Sequence, residues 1–278
     1  MKTLIPSFRV EKAYFFRSVK SEDCFALIPK LRKFTHEERL RIARLISDRI
    51  VRKYGDGVRA VYVCGSTSKK LDRPFSDLEL IVIVRDRVEI PMKYYLYRGL
   101  IIQIEYLKSS KILEGAERFT DNWPWEADQY RNRIALYERH RWFRKLDDAV
   151  AKNDKTGSVE AIRKSFMMMT ESMAVLKNAI LTNDTVGILS RGRMLAEDAA
   201  RIVLLLNRRY VTTTSWFWNI VLDLRNKPKD FKELVEKMSG FVPTTREEVV
   251  ASSERMYKEM GELVTHSGVK IERDDLWV

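Results

Sequence analysis

VRAVYVCGSTSKKLDRPFSDLELIVIV, residues 58–84, decides the fold. Two apolar, β-branched runs, Val61–Cys64 and Leu80–Val84, read as strands. Gly65-Ser66 separates them with a turn at which the backbone can approach a ligand. A basic loop follows, and the second strand is entered through Asp77 and Glu79. A strand's side-chain period of two sets Asp77, Glu79, Ile81 and Ile83 on one face. Two carboxylates on an otherwise apolar strand are poor packing groups. An unpaired ionised carboxylate near a core costs several kcal/mol or more, so a bound cation is the natural counter-charge.

Working outward, Thr35-x-x-Glu38 is a capping box that opens a helix. Its expected apolar stripe is Leu40, Ile42, Leu45, Ile46, Ile50 and Val51, and Tyr54-Gly55 closes it. Residues 85–99, charged and containing Pro91, read as a connection with an edge strand. Leu100–Leu107 is a third central strand, with Gln103 and Glu105 on one face and Ile102, Ile104 and Tyr106 on the other. Residues 109–119 read as helix, Asp121–Trp125 as a break, and Ile134–Tyr137 as a last short strand. Residues 1–34 read as a short strand or helix packed on this first unit.

Beyond Lys145 the composition shifts. Lys152–Ser158 (KNDKTGS) is a polar linker, and helices are expected over 159–181, 185–208, 214–225, 228–239 and 244–265. The fold class is α+β: a mixed β-sheet with flanking helices over 1–146, then a helical bundle over 147–278.

The chain has 278 residues, enough for two modest units, and a formal net charge of +12. That charge favours an anionic partner, a nucleotide or a nucleic acid. The basic residues are spread along the chain, and a solvated surface accounts for most of the balance. No apolar run approaches the ~20 residues that span a bilayer, and the start of the chain has no signal-peptide layout. A cytoplasmic protein without membrane contact is expected. Cys24 and Cys64 form no disulfide framework, and no Cys/His cluster has zinc spacing. His36, His140 and His266 form no recognisable site. Trp123, Trp125, Trp216 and Trp218 read either as core packing or as walls of a stacking cleft.

Gly65-Ser66 followed, ten residues on, by Asp77-Leu78-Glu79 resembles the signature of the nucleotidyltransferase superfamily, the DNA polymerase β-like fold. That family uses a third carboxylate on a neighbouring strand, the position of Glu105. The chemistry agrees with the resemblance. Nucleotidyl transfer uses two Mg²⁺ ions, which take hard oxygen ligands, and three clustered carboxylates repel one another without the metal. Further likeness, in NWP at 122–124 and YVTTTSW at 210–216, is to the kanamycin nucleotidyltransferase family.

That resemblance implies transfer of a nucleoside monophosphate, AMP from ATP or another NTP, to a hydroxyl of an acceptor, an aminoglycoside-like small molecule among the candidates. It implies Asp77, Glu79 and Glu105 as metal ligands and Gly65, Ser66, Lys69 and Ser76 as nucleotide-binding residues. It also implies Glu171 as general base and a homodimer. Glu171 has a case of its own: Met167, Met168, Ala174 and Val175 surround it on a second helix face, and apolar surroundings raise a carboxyl pKa. An ordinary surface glutamate fits the same pattern.

Two positions depart from the family. Val175 replaces a lysine one turn after the glutamate, with Lys177 elsewhere on the helix, and Lys69 stands for an arginine of the Gly-Ser loop. Three other readings stay open: an RNA- or tRNA-directed nucleotidyltransferase, a toxin–antitoxin-type protein adenylyltransferase, and a non-catalytic nucleotide-binding module.

Overall fold

The computed structural model describes residues 30–271. Most of the expected element within 1–34, and Cys24, lie outside them. Helix α1 (His36–Tyr54) begins where the sequence predicts, with both arms of the Thr35/Glu38 capping box formed, and ends at Gly55 with positive φ. A single 3₁₀ turn (Gly55–Gly57) leads into β1 (Val58–Val63), and the Gly-Ser turn is itself one turn of helix, α2 (Gly65–Ser68). Then come β2 (Leu78–Val84), β3 (Lys93–Tyr97), β4 (Leu100–Lys108) and helix α3 (Ser109–Glu117). The positive-φ pair Arg98-Gly99 makes the tight β3–β4 turn. Helix α4 (Trp123–Arg131), β5 (Ile134–Glu138) and α5 (Trp142–Asn153) complete this half.

The sheet order is β3-β4-β2-β1-β5. β2 and β4 run parallel, and the other neighbours are antiparallel. Alternation along the strands divides the core in two. Leu78, Leu80, Val82, Ile102 and Ile104 pack beneath α1, whereas Tyr62, Ile81 and Ile83 pack with Ile112, Phe143 and Leu146 of α3 and α5.

The helical half consists of α6 (Val159–Leu181), α7 (Thr185–Leu206), a 3₁₀ turn (Thr214–Trp216) running into α8 (Phe217–Leu222), α9 (Phe231–Met238) and α10 (Arg246–His266). Their inward faces share one core with Phe119, Trp123 and Ala127, so α4 belongs to the seam between the halves. None of the helices described is long and apolar enough to cross a membrane.

Three local expectations are corrected. The helix over 109–119 does break off, at Glu117, but Trp123–Trp125 within the 121–125 stretch open a new helix, α4, in which Pro124 occupies a first-turn position where no N–H is required. The helix expected from residue 228 starts at Phe231, after Asp230 in the left-handed region. The stripe of α1 holds at Leu40, Ile42, Ile46, Ile50 and Val51, which pack on the core, but Leu45 is 60% exposed, and Arg39, Ala43 and Ser47 are buried beside the stripe. Arg39 is buried because its guanidinium donates into the loop at 72–76.

Candidate active site

The turn after β1 and the entry to β2 meet because these strands are antiparallel neighbours, with Val63 opposite Leu80. The Cys64 N–H donates to the Glu79 carbonyl at 3.1 Å, locking the turn to β2. Gly65 then takes φ +64°, and its bare Cα lies under the Glu79 carboxylate. A Cβ built there would overlap Glu79 Oε2. Glycine is required twice at this residue, once by the dihedral and once by contact.

The parallel register sets Glu79 beside Gln103 and Ile81 beside Glu105, so Glu79 and Glu105 share a sheet face. Asp77, Glu79 and Glu105 all line one cleft of about 620 Å³, as do Gly65, Ser66 and Ser76. Among the described residues, no three His, Cys, Asp or Glu side chains form a ready-made metal cage.

Burial and the Asp77 charge push the Glu79 carboxyl up to about 7, an effect that nearby Lys69 offsets in part. Burial also raises Glu105. A hard dication is the charge that such a site lacks, and its donor set is all oxygen. The residues fit Mg²⁺ in kind.

The structure adds residues that sequence reasoning missed. Helix α4 contributes Trp125, Glu126, Asp128 and Gln129 to the opposite wall, and residues 211–216 close the end. Asp128 is buried; burial raises its carboxyl, and Lys69 and Asn132 hold it down in part. Lys69 Nζ donates to Asp128 Oδ2 at 2.5 Å and to the Gly65 carbonyl. Lys69 therefore braces the Gly-Ser turn against α4 and is not among the cleft-lining side chains. Ser76 Oγ accepts the Arg73 N–H at 2.9 Å, which tightens the loop before Asp77.

The tryptophans separate by role. Trp125 and Trp216 line the cleft, with the Arg73 guanidinium 5.8 Å from the Trp216 ring centroid. Trp123 is core, and Trp218 packs edge-on against Phe241.

Glu171 is exposed on α6, outside the cleft lining. Met167 and Met168 beside it are exposed as well, so the apolar enclosure expected from the helix pattern is not formed within one chain. Charge, and not contact, relates it to the cleft wall. Its charge bears on Asp198, Asp198 on Arg201, and the Arg201 guanidinium sits 4.5 Å from the Trp125 ring centroid. Lys177 is exposed, Val175 is half-buried, and neither lines the cleft. His36 Nδ1 pairs with Asp72 Oδ1 at 2.9 Å and helps fix the 72–76 loop.

Fold and site together define a nucleotidyltransferase-type sheet, with acids at one strand end, facing a helical unit. More particularly, residues 140–270 match the KNTase C-terminal domain. The chain is also similar to two proteins named aminoglycoside nucleotidyltransferase (4'), from Staphylococcus aureus and from a Bacillus species. Each is 26% identical over 112 residues, covering 40% of this chain. The match spans 44% of the length of each of these relatives. Among solved structures, a nucleotidyltransferase-like protein from Exiguobacterium sibiricum aligns over 84% of this chain and 81% of its own, at 15% identity and a TM-score of 0.49.

Proposed function

We propose that the protein is a Mg²⁺-dependent nucleotidyltransferase that moves a nucleoside monophosphate, AMP from ATP in the first instance, onto a hydroxyl of a small acceptor. The observation that supports this best is the cleft itself. Asp77, Glu79, Glu105, Glu126 and Asp128 line it against one cation, Arg73, and a glycine turn lies tight against Glu79. Carboxylates in such excess would repel a bare triphosphate, so the site suits a metal-bound one.

Asp77, Glu79 and Glu105 are the residues that would hold the metal, two ions in the full site. When bound, Mg²⁺ neutralises phosphate charge and stabilises the attacking and leaving oxygens. In the transfer, an acceptor hydroxyl oxygen bonds to the α-phosphorus, the bond to the bridging oxygen breaks, and pyrophosphate leaves. Gly65, Ser66 and Ser76 face the nucleotide, and Lys69 holds the turn that presents them. Arg73 supplies a positive charge for phosphate, and Trp125 and Trp216 give flat walls for a base or sugar.

The acceptor proton is assigned to Glu171. Its exposure beside Met167 and Met168 supports a homodimer in which a second copy covers this face. On this reading residues 1–146 supply the catalytic half and 147–278 the acceptor half. The acceptor is an aminoglycoside-like molecule by analogy with the relatives' names.

The test is binding and turnover of ATP with Mg²⁺ across hydroxyl-bearing acceptors; a protein that does not bind MgATP sinks the reading. For the base, Glu171→Gln is expected to lower kcat about 100-fold with nucleotide affinity unchanged, and light scattering is expected to give a dimer mass. Full activity of the variant in a monomeric protein would remove Glu171 from the mechanism.

A further inference from the structure

A second cavity, of about 670 Å³, opens at the other end of the same sheet. The cleft lies where β1 ends and β2 begins, whereas this cavity lies where β1 begins and β2, β4 and β5 end. Its polarity is reversed: Arg59, Arg85, Arg87, Arg139 and Lys145 line it, with Asp86 as the one carboxylate among the lining residues. We propose that this cavity is a metal-independent binding site for a small phosphate-bearing anion, distinct from the catalytic cleft.

The cations are gathered by the backbone and not by chance extension of long side chains. The Arg85 N–H donates to the Gly57 carbonyl at 2.9 Å, and the Arg139 N–H to the Arg59 carbonyl at 2.8 Å. Segments 56–59, 85–87 and 139–142 are thereby clamped side by side. The acids nearby are already engaged. Asp86 Oδ1 accepts the Ser110 N–H at 2.9 Å, Glu138 Oε2 accepts the Phe143 N–H at 3.2 Å, and Asp56 is paired with Arg139, which offsets part of that one cation's charge. Asp56 also feels Arg85 and Arg59, which places those charges together. Arg85 Nε is buried with no hydrogen-bond partner.

Two helices also begin here. Ser109 opens α3 and Trp142 opens α5, and both residues line the cavity. Each amino end already donates to a carboxylate, Asp86 on α3 and Glu138 on α5, so the charge of the site comes from the arginines and Lys145. Planar guanidinium forks match phosphate oxygens, which decides the chemical class. The cavity's volume of about 670 Å³ holds a compact di- or triphosphate.

The opposite polarity of the two cavities makes the test specific. Without metal, pyrophosphate is repelled by the five carboxylates of the cleft, so metal-free binding reports the basic cavity. Calorimetric titration of pyrophosphate into the whole protein with EDTA present is expected to show one site. The double substitution Arg87→Gln/Lys145→Gln, at two exposed residues, is expected to weaken it about tenfold or more. Arg85→Gln is expected to do the same, and Arg73→Gln, in the cleft, to leave it unchanged. Unaltered melting curves would show that the variants fold.

No saturable heat up to about 10 mM, an affinity weaker than ~3 kcal/mol, overturns the proposal. So does binding that is lost in Arg73→Gln and kept in the double variant. A ten-nucleotide RNA that binds this face more tightly than pyrophosphate, with affinity falling steeply in salt, overturns it in favour of a nucleic-acid surface.

Discussion

Glu79→Gln is expected to lower kcat/KM for nucleotidyl transfer about 1000-fold, and Gly65→Ala to lower it nearly as far, yet the two act by different routes. Glutamine keeps the shape of Glu79 and removes the charge, so its effect falls on metal and phosphate binding, several kcal/mol of transition-state stabilisation. The alanine methyl would occupy the space of Glu79 Oε2. The carboxylate must then swing away, and displacement of a reacting group by about 1 Å costs on the order of 100-fold.

Stability separates them. In the metal-free protein the Glu79 charge is half-buried beside Asp77 and pushed up to about 7, so neutralising it is expected to leave Tm unchanged or higher. Gly65→Ala combines positive-φ strain with overpacking and is expected to cost about 1–3 kcal/mol. Because both substitutions disable one carboxylate, their combination is expected to be little worse in activity than Glu79→Gln alone. Activity of Glu79→Gln within tenfold of the parent would show that this strand does not carry the reaction.

What the sequence reveals of this site follows from the range of its interactions. Gly65, Asp77 and Glu79 lie within fifteen residues, on elements with a strong period of two, and a one-residue slip would turn the acids toward the core beneath α1. Glu105 needs only the alternation of its own strand. The α4 wall is different. Glu126 and Asp128 enter the cleft because Pro124 starts a helix whose other face packs in the helical core, and that packing is nonlocal. Pro124 is the signal that the α4 wall offers in sequence, and it is open to reading as a break.

Lys69 shows the reverse limit. Its charge and position in the loop suggest a phosphate contact, yet Asp128, 59 residues away, draws it to a bracing role. Glu171 shows a third. Helical periodicity places it on a second apolar face, but burial of that face is decided by tertiary contacts, and within one chain it stays open.

Arg39→Met is expected to destabilise the fold by about 3–5 kcal/mol, the usual cost of stripping one partner from a buried ionic network. Arg39 is fully buried, and all its donors face one loop and the entry to α1. Nη1 donates to the Phe34 carbonyl and Asp72 Oδ2, both at 3.0 Å. Nη2 donates to the carbonyls of Arg73, Pro74 and Ser76 at 2.7, 3.1 and 2.8 Å, and Nε to Ser76 at 3.1 Å. Methionine removes every one of these donors; Asp72 keeps His36 and the Arg73 and Pro74 carbonyls keep backbone N–H donors, whereas the Phe34 and Ser76 carbonyls lose theirs, each worth about 1–3 kcal/mol where water cannot reach it.

Ser76 immediately precedes Asp77, so the same guanidinium holds the strand entry that aims the first carboxylate. A residue that only stabilised the fold would leave kcat intact at temperatures well below the melting transition. Arg39→Met is expected instead to lose about 10- to 100-fold in kcat/KM there, with the loss carried by the metal–nucleotide complex. Arg39→Lys retains the charge but not the fork, and is expected to recover stability only in part. Normal turnover of folded Arg39→Met at low temperature would show that the 72–76 loop holds its shape without the guanidinium, and would leave Arg39 a purely structural residue.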